Sequence, residues 1–553
     1  MRLRGAEILI KELLFAGVTD IFGYPGGSVL DIYDELYQNR DKIRHVTTAH
    51  EQGATHAADG YARVTGKTGV VLATSGPGAC NLVTGIATAY LDSVPLVAIT
   101  GNVATKLIGR DSFQEVNIVG ITMPITKHNY IVERVEDLQR TIREAFVIAG
   151  SGRPGPVLID IPKDVQQAYC EYDADVEFDF SKITKSAVYS IENACKLIKE
   201  AKRPYIYAGG GTVISDASAE LLSFARLIGA PVATSLMGLT AIPRMHEMAL
   251  GMAGMHGRYA ASRALAECDL LITVGARFSD RATGKKETFV KNCKVLQFDI
   301  DRAEVNKNIH ADDFVIGDIK KILSDLCAAL PKLNNKKWLD YVSELKKGSE
   351  NVLGTSGKPL TPKNIIQTTG DFLGADAVVA TDVGQHQMWT AQYYKFERPR
   401  SFVTSGGLGT MGYGLGAAIG ACVGTGKRAI LFTSDGSFHM NMNELATAVS
   451  YNLPVTVVLL DNNALGMVRQ WQTMFYDKRY SETTLSRSTD YVRLAEAFGA
   501  KGFNAETPEQ LKAALTEVKN TDGPVLIRCA VDEDENVFPM IPPNGTIKDI
   551  IIR

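Results

Sequence analysis

A carboxylate in Asp435-Gly436-Ser437 and an amide in Asn462, 27 positions later, are spaced as a metal site would be. Both oxygens are hard ligands that suit Mg²⁺, an ion that keeps phosphate oxygens and water in its remaining positions. Gly436 lets backbone approach a phosphate closely, and Ser437 can donate a hydrogen bond to it. Asp-Gly alone is equally a common surface turn. The surrounding text decides between them. Residues 429–433 and 455–460 are short apolar runs of the kind that form parallel strands covered on both faces, and 443–450 has helical spacing in Leu445, Ala448 and Val449. A strand–helix–strand crossover puts Asp435 and Asn462 just past the carboxyl ends of two parallel strands, where open α/β sheets bind ligands.

The rest of the chain must supply the elements that hold such a site. Its 553 residues, 45% of them apolar, suggest three domains with a core each. A formal charge of -3 and a pI near 6.3 give no footprint for nucleic acid or an acidic membrane. No apolar run reaches the roughly 20 residues that span a bilayer, and residues 1–20 read as an amphipathic helix rather than a signal peptide. The eight cysteines are scattered and never form Cys-x-x-Cys, so neither a disulfide framework nor a zinc site is expected, and a cytoplasmic location is.

Alternation of apolar strands and helices argues for α/β architecture throughout, as three doubly wound parallel sheets. The first unit covers 1–165, with strands expected at 19–23, 46–49, 69–74 and 96–100. An acidic stretch, 166–190, reads as a surface linker. The second unit covers 190–330. There, 204–208 runs into Gly209-Gly210-Gly211, 270–274 into Gly275-Ala276-Arg277, 295–300 ends in Asp299, and 314–316 leads to Asp318. Glycines for a pyrophosphate and carboxylates for ribose hydroxyls suit a dinucleotide, although the full G-x-G-x-x-G signature is absent. Residues 331–360, with Gly354 and Gly357, form a second connection in which Trp338 and Leu345 anchor a helix. The third unit covers 361–532, opening on Thr361-Pro362, and the tail, 533–553, folds over the surface.

Asp435-Gly436-Ser437 with Asn462 resembles the metal–diphosphate motif of thiamine diphosphate enzymes. Gly466 to Trp471 resembles one branch of them, the catalytic subunit of the acetohydroxyacid (acetolactate) synthases, as do Tyr24 to Gly27, Thr48 to Ala54, Phe113 to Glu115, Met255 to Gly257 and Gly275 to Arg281. The resemblance covers nearly the whole chain. It implies pyrimidine-binding, FAD-binding and diphosphate-binding domains in that order, and ligation of pyruvate, after decarboxylation, to a second 2-ketoacid. It assigns Glu51 to the cofactor's aminopyrimidine and Met411, in the glycine-rich turn with Gly409, to the wedge that folds the two rings together. Gln385 and His386 fall on the other side of the diphosphate site with Gly436, Ser437 and Met467, and Asp435, Asn462 and Ala464 around Mg²⁺. Arg281 and Trp471 are matched to the acceptor's carboxylate and alkyl group, Gly27 and Gln114 to the reaction space, and Lys127 to the access channel. Met255, Gly209, Gly210, Gly211, Gly275, Arg277, Asp299 and Asp318 align with FAD contacts. Because Glu51 and Asp435 fall in different units, the resemblance also implies a homodimer or homotetramer with sites at the subunit interface, and a regulatory small subunit is a possible partner.

Several positions depart from the pattern: Ser434 for a glycine, Asp461 for an asparagine, Asn117 and Ser279 for acids, and Met123 for an arginine. The rival reading is a related thiamine–FAD enzyme, such as a pyruvate oxidase or another 2-ketoacid carboligase or decarboxylase. A non-catalytic paralogue that binds nucleotide is a third.

Overall fold

The computed structural model describes residues 1–184, 188–290, 293–349, 359–374 and 376–552. Gly354 and Gly357 of the second connection lie outside the described residues. The chain builds three six-stranded parallel sheets flanked by helices. In the first, the spatial order is Arg44–Thr47, Asp20–Tyr24, Gly69–Ala73, Leu96–Asn102, Pro156–Pro162, His128–Ile131. In the third it is Phe402–Val403, Val378–Thr381, Ala429–Ser434, Val455–Asp461, Val525–Ala530, Lys501–Ala505. Counted along the chain, both read second, first, third, fourth, sixth, fifth. The middle sheet instead places Ala249–Met252, Val232–Thr234, Pro204–Ala208, Leu270–Val274, Lys294–Asp299 and Asp313–Ile316 in the order third, second, first, fourth, fifth, sixth. That is the order of dinucleotide-binding sheets, whose ligand lies where the winding reverses.

Central strands such as Pro156–Pro162 and Val455–Asp461 are buried at every position, as expected where helices cover both faces. Thr361 caps the helix Pro362–Leu373, accepting from the Asn364 amide, with proline as its first residue. The helix anchored by Trp338 runs Lys336–Ser349. The acidic stretch differs from a plain linker: Tyr169–Glu171 forms an antiparallel ribbon with Arg2–Arg4. Its backbone groups therefore find partners at the chain's own start, where Leu3 faces Cys170. The tail returns to the middle sheet's side, with the Ile541 amide donating to the Met255 carbonyl at 2.8 Å.

One buried apolar cluster joins the first and third units, running through the helices Glu51–Thr65 and Gly414–Thr425. These helices touch backbone to backbone. A Cβ on Gly60 would lie 2.2 Å from the Ala417 carbonyl oxygen, and one on Gly420 would lie 1.8 Å from that of Ala57. Only glycine allows the approach. Beside it, the buried Arg63 guanidinium pairs with Asp59 at 2.6 Å and Asp92 at 2.9 Å. Tyr413 of the third unit donates its hydroxyl to Asp59. A methyl group at Gly420 must push the helices apart, so Gly420→Ala should destabilise the protein by about 1–3 kcal/mol, as overpacking does. Thermal unfolding checks this; an unchanged transition would contradict the contact.

Candidate active site

The third sheet's winding reverses between Val378–Thr381 and Ala429–Ser434, and the groups at these strand tips converge there. Asp435 opens the helix Asp435–Asn441 directly after its strand, and Asn462 follows Val455–Asp461 in the neighbouring strand, paired Ser434 to Leu460. Asp435 is buried, and its Oδ1 has no hydrogen-bond partner. Burial, then the charge of Asp461, pushes its carboxyl up to about 7. One oxygen of Asp461 accepts from Arg528 at 2.7 Å; the other is also unpartnered. The Asn462 Oδ1 accepts from the Ala464 amide at 3.2 Å. A buried, unpaired carboxylate oxygen is costly, and a divalent cation is the partner that would stabilise it. Among the described residues no group of three or more His, Cys, Asp or Glu side chains could hold a metal. A cation here would therefore draw further ligands from phosphate and water.

The surrounding residues fit a diphosphate. Gly436 sits where a Cβ would lie 3.8 Å from Met411 Cε, so the methionine in the glycine turn stands beside the Asp-Gly-Ser loop. Gly409 has a φ of 74°, which favours glycine. Ser437 donates to the Val383 carbonyl at 3.3 Å. Gln385 and His386 begin the buried helix Gln385–Tyr393. Gln385 Nε2 donates to Gln470 and to the Glu535 carbonyl, while burial lowers the His386 imidazole to about 3 and keeps it neutral.

A second group of residues meets in the middle sheet. Gly209 and Gly211 cross Gly275 so closely that a Cβ on Gly209 would lie 2.2 Å from the Gly275 carbonyl oxygen. This crossing falls at the point where the sheet's winding reverses, between Pro204–Ala208 and Leu270–Val274. A cavity of about 1600 Å³ opens over it. Gly210, Gly211, Gly275, Arg277, Asp299 and Asp318 line one end. Burial raises the Asp299 carboxyl to about 6, and Asp318 caps the helix Ile319–Ala329. The other end reaches the third unit at Gly384, Gly409, Met467 and Trp471, with Met255 and Arg281 between. There the Arg281 guanidinium lies 5.5 Å from the Trp471 ring centroid, and its Nη1 is 3.6 Å from Met255 Sδ. Bare backbone, two carboxylates and this volume suit a dinucleotide.

A third group belongs to the first sheet. Glu51 opens its helix and accepts from Asn81 Nδ2 at 2.9 Å through Oε2. A Cβ on Gly78 would come within 3.2 Å of Glu51 Oε1, and one on Gly76 within 2.7 Å of the Gln114 carbonyl oxygen. Gln114 holds a φ of 57°. Gly27 has open space around it. Glu51, Gly27, Gln114 and Lys127 do not line the cavity, and neither do Asp435, Asn462, Ala464, Gly436, Ser437, Gln385, His386 and Met411. Lys127 Nζ instead donates to the Ile148 and Ser151 carbonyls at the end of the helix Val135–Gly150, and burial lowers its ammonium to about 8. Within one chain, then, the residues around Glu51 and those around Asp435 both lie outside the cavity lining.

Two buried carboxylates of this region carry no local sequence signal. Glu444, from the third unit, accepts the amides of Ala49 and His50 at 3.1 and 2.9 Å and so fixes the turn before Glu51. Asp92, from the first, accepts the amides of Gly406 and Gly407 at 2.9 and 2.7 Å. Their partners lie hundreds of residues away. The only hint is an acid inside an apolar helical pattern, as in Asn443-Glu444-Leu445.

Comparison with known proteins agrees with this layout. Residues 3–121 match the N-terminal TPP binding domain of thiamine pyrophosphate enzymes, 191–326 their central domain, and 382–529 their C-terminal TPP binding domain. The chain is 47% identical to a probable acetolactate synthase large subunit of Methanocaldococcus jannaschii, over 99% of this chain and 95% of the relative. It is 44% identical to the acetolactate synthase isozyme 2 large subunit of Escherichia coli, over 99% of each. An acetolactate synthase of Mycobacterium bovis is 46% identical over 100% of this chain and 91% of its own. The chain is a thiamine pyrophosphate enzyme and belongs to the family of acetolactate synthase large subunits.

Proposed function

We propose that this chain is the catalytic subunit of an acetolactate synthase, which decarboxylates pyruvate and joins the two-carbon remainder to a second 2-ketoacid. The products are 2-acetolactate from pyruvate, or 2-aceto-2-hydroxybutyrate from 2-ketobutyrate, as a first step toward branched-chain amino acids. The observation that carries the reading is the buried Asp435 carboxylate, its Oδ1 without a partner, beside Asn462 at a sheet's winding reversal. Thiamine diphosphate, when bound, supplies the carbanion centre and electron sink for decarboxylation. Asp435, Asn462 and Ala464 would hold Mg²⁺ against its diphosphate, with Gly436, Ser437, Gln385, His386, Gly409 and Met467 around it and Met411 as the wedge between the rings. Glu51 keeps Oε1 for the pyrimidine ring, since Asn81 already donates to Oε2.

Arg281 and Trp471 are neighbours, so a ketoacid that offers its carboxylate to the guanidinium brings its alkyl group to the indole. An arginine and an indole so placed favour a carboxylate-bearing acceptor over water or oxygen, which supports ligation over pyruvate oxidation. The cavity lining of Gly210, Gly211, Gly275, Arg277, Met255, Asp299 and Asp318, with Gly209 in the glycine crossing beneath it, supports FAD as its occupant, and the ligation itself involves no net redox change. Glu51, Gly27 and Gln114 belong to the first unit and Asp435, Asn462 and Met411 to the third, and a site divided in this way supports completion by a second copy in a homodimer or homotetramer. Relatives are named large subunits, which supports a separate regulatory small subunit. No described helix is long and apolar enough to cross a membrane, and a cytoplasmic enzyme fits that.

With pyruvate, thiamine diphosphate and Mg²⁺, acetolactate should form without oxygen uptake or acetaldehyde; product analysis by mass spectrometry checks this, and acetaldehyde or acetyl phosphate as the product would sink the proposal. Glu51→Gln should lower kcat by about 10²–10⁴-fold, the usual contribution of a positioned proton-transfer group, while thiamine diphosphate still binds. The Asp435 carboxyl sits above its unfolded value, so the metal-free fold loses stability as pH rises from the ordinary carboxylate range to about 7. Mg²⁺ needs the ionised form, so its affinity should climb with pH up to about 7 and flatten above. Calorimetric titration of Mg²⁺ across that range should show the climb; a flat profile would contradict the assignment.

A further inference from the structure

We propose that Cys268 and Cys293 are a modification site: hydrogen peroxide oxidises them to a disulfide that rings the segment bearing Gly275, Arg277 and Arg281. All eight cysteines are free thiols, and no other pair is in contact among the described residues. The two sulfurs are 3.2 Å apart. Bonding needs them only about 1 Å closer, near the usual ~2.05 Å.

The backbone explains the proximity. Cys268 and Cys293 come just before the neighbouring parallel strands Leu270–Val274 and Lys294–Asp299, which pair Leu270 to Lys294. The Lys294 amide donates to the Asp269 carbonyl at 3.0 Å, so Cys293 lies across from Asp269 and one step from Cys268. Strands about 4.8 Å apart with one residue of offset put the two Cα atoms about 6 Å apart, inside the ~4.4–6.8 Å range of disulfides. The pair sits at the amino ends of these strands, whereas the cavity opens at their carboxyl ends. It is therefore separate from the proposed active site.

The two thiols have unequal access. Cys293 is half-exposed, and Cys268 is buried in the apolar cluster that also holds Trp338 and Val342. The chemistry follows that order. The Cys293 sulfur attacks the peroxide, breaking its O–O bond and giving a sulfenic acid and water. The Cys268 sulfur then displaces hydroxide from that sulfenic acid, forming the S–S bond and a second water. Two thiols lose two electrons and two protons, and one peroxide is reduced to two waters. A dithiol reductant reverses the bond by exchange.

The test treats the cofactor-loaded enzyme with hydrogen peroxide, alkylates remaining thiols and digests it without reduction for mass spectrometry. The expected product is one cross-linked pair of peptides containing Cys268 and Cys293, lighter than their sum by two hydrogens and separated by dithiothreitol. C293S should give no cross-link and leave Cys268 alkylatable after unfolding. Oxidation should raise the unfolding temperature of the natural chain in a dithiothreitol-sensitive way and leave that of C293S unmoved. The proposal fails if the exposed Cys80 is oxidised while Cys268 and Cys293 stay unlinked, or if Cys293 runs on to a sulfinic acid.

Discussion

Two carboxylates at the buried tips of adjacent strands, Asp435 and Asp461, set the terms for everything built around them. Burial disfavours the charged form and the neighbouring charge of Asp461 adds to it, so the Asp435 carboxyl is raised to about 7. Arg528 answers one oxygen of Asp461. Among the described residues no group answers Oδ1 of Asp435. A fold that keeps such a group buried stores a demand for a cation, and the glycine and hydroxyl beside it make room for that cation's phosphate. Asp461 sharpens the demand by adding a second negative charge.

The architecture serves that demand by repetition. First and third sheets share one strand order, and their helices close on each other through glycines with no side chain between. Contact this close needs fixed loops on both sides, which is what Glu444 and Asp92 provide by accepting pairs of backbone amides across the junction. A carboxylate at the amino end of Glu51's own helix also complements the helix dipole, so the same bonds stabilise the helix and fix its first residue. The middle sheet is wound differently, and its glycine crossing faces a separate part of the same cavity that reaches Trp471.

Much of this was legible in the residues. Apolar runs ending in Asp435, Asn462, Gly209 or Gly275 marked strand tips because burial on both faces removes polar positions from the strand and leaves them at its end. The helix Asp435–Asn441 was not legible: Phe438 and Met440 are its only large apolar residues, too few for a helical period. Lys127 shows another limit. Its sequence neighbourhood says nothing of the carbonyls at residues 148 and 151 that hold its ammonium. Glu444 and Asp92 were invisible for the same reason, since a buried acid that binds distant backbone looks like any surface acid until the fold brings the amides to it.

The most direct test of the account is whether the cation and the diphosphate depend on each other. Calorimetric titration of the metal-stripped protein with thiamine diphosphate, in Mg²⁺ and then in a chelator, measures that dependence. The account predicts binding with Mg²⁺, little without it, and almost none for thiamine lacking its phosphates. Equal affinity in the chelator would contradict it.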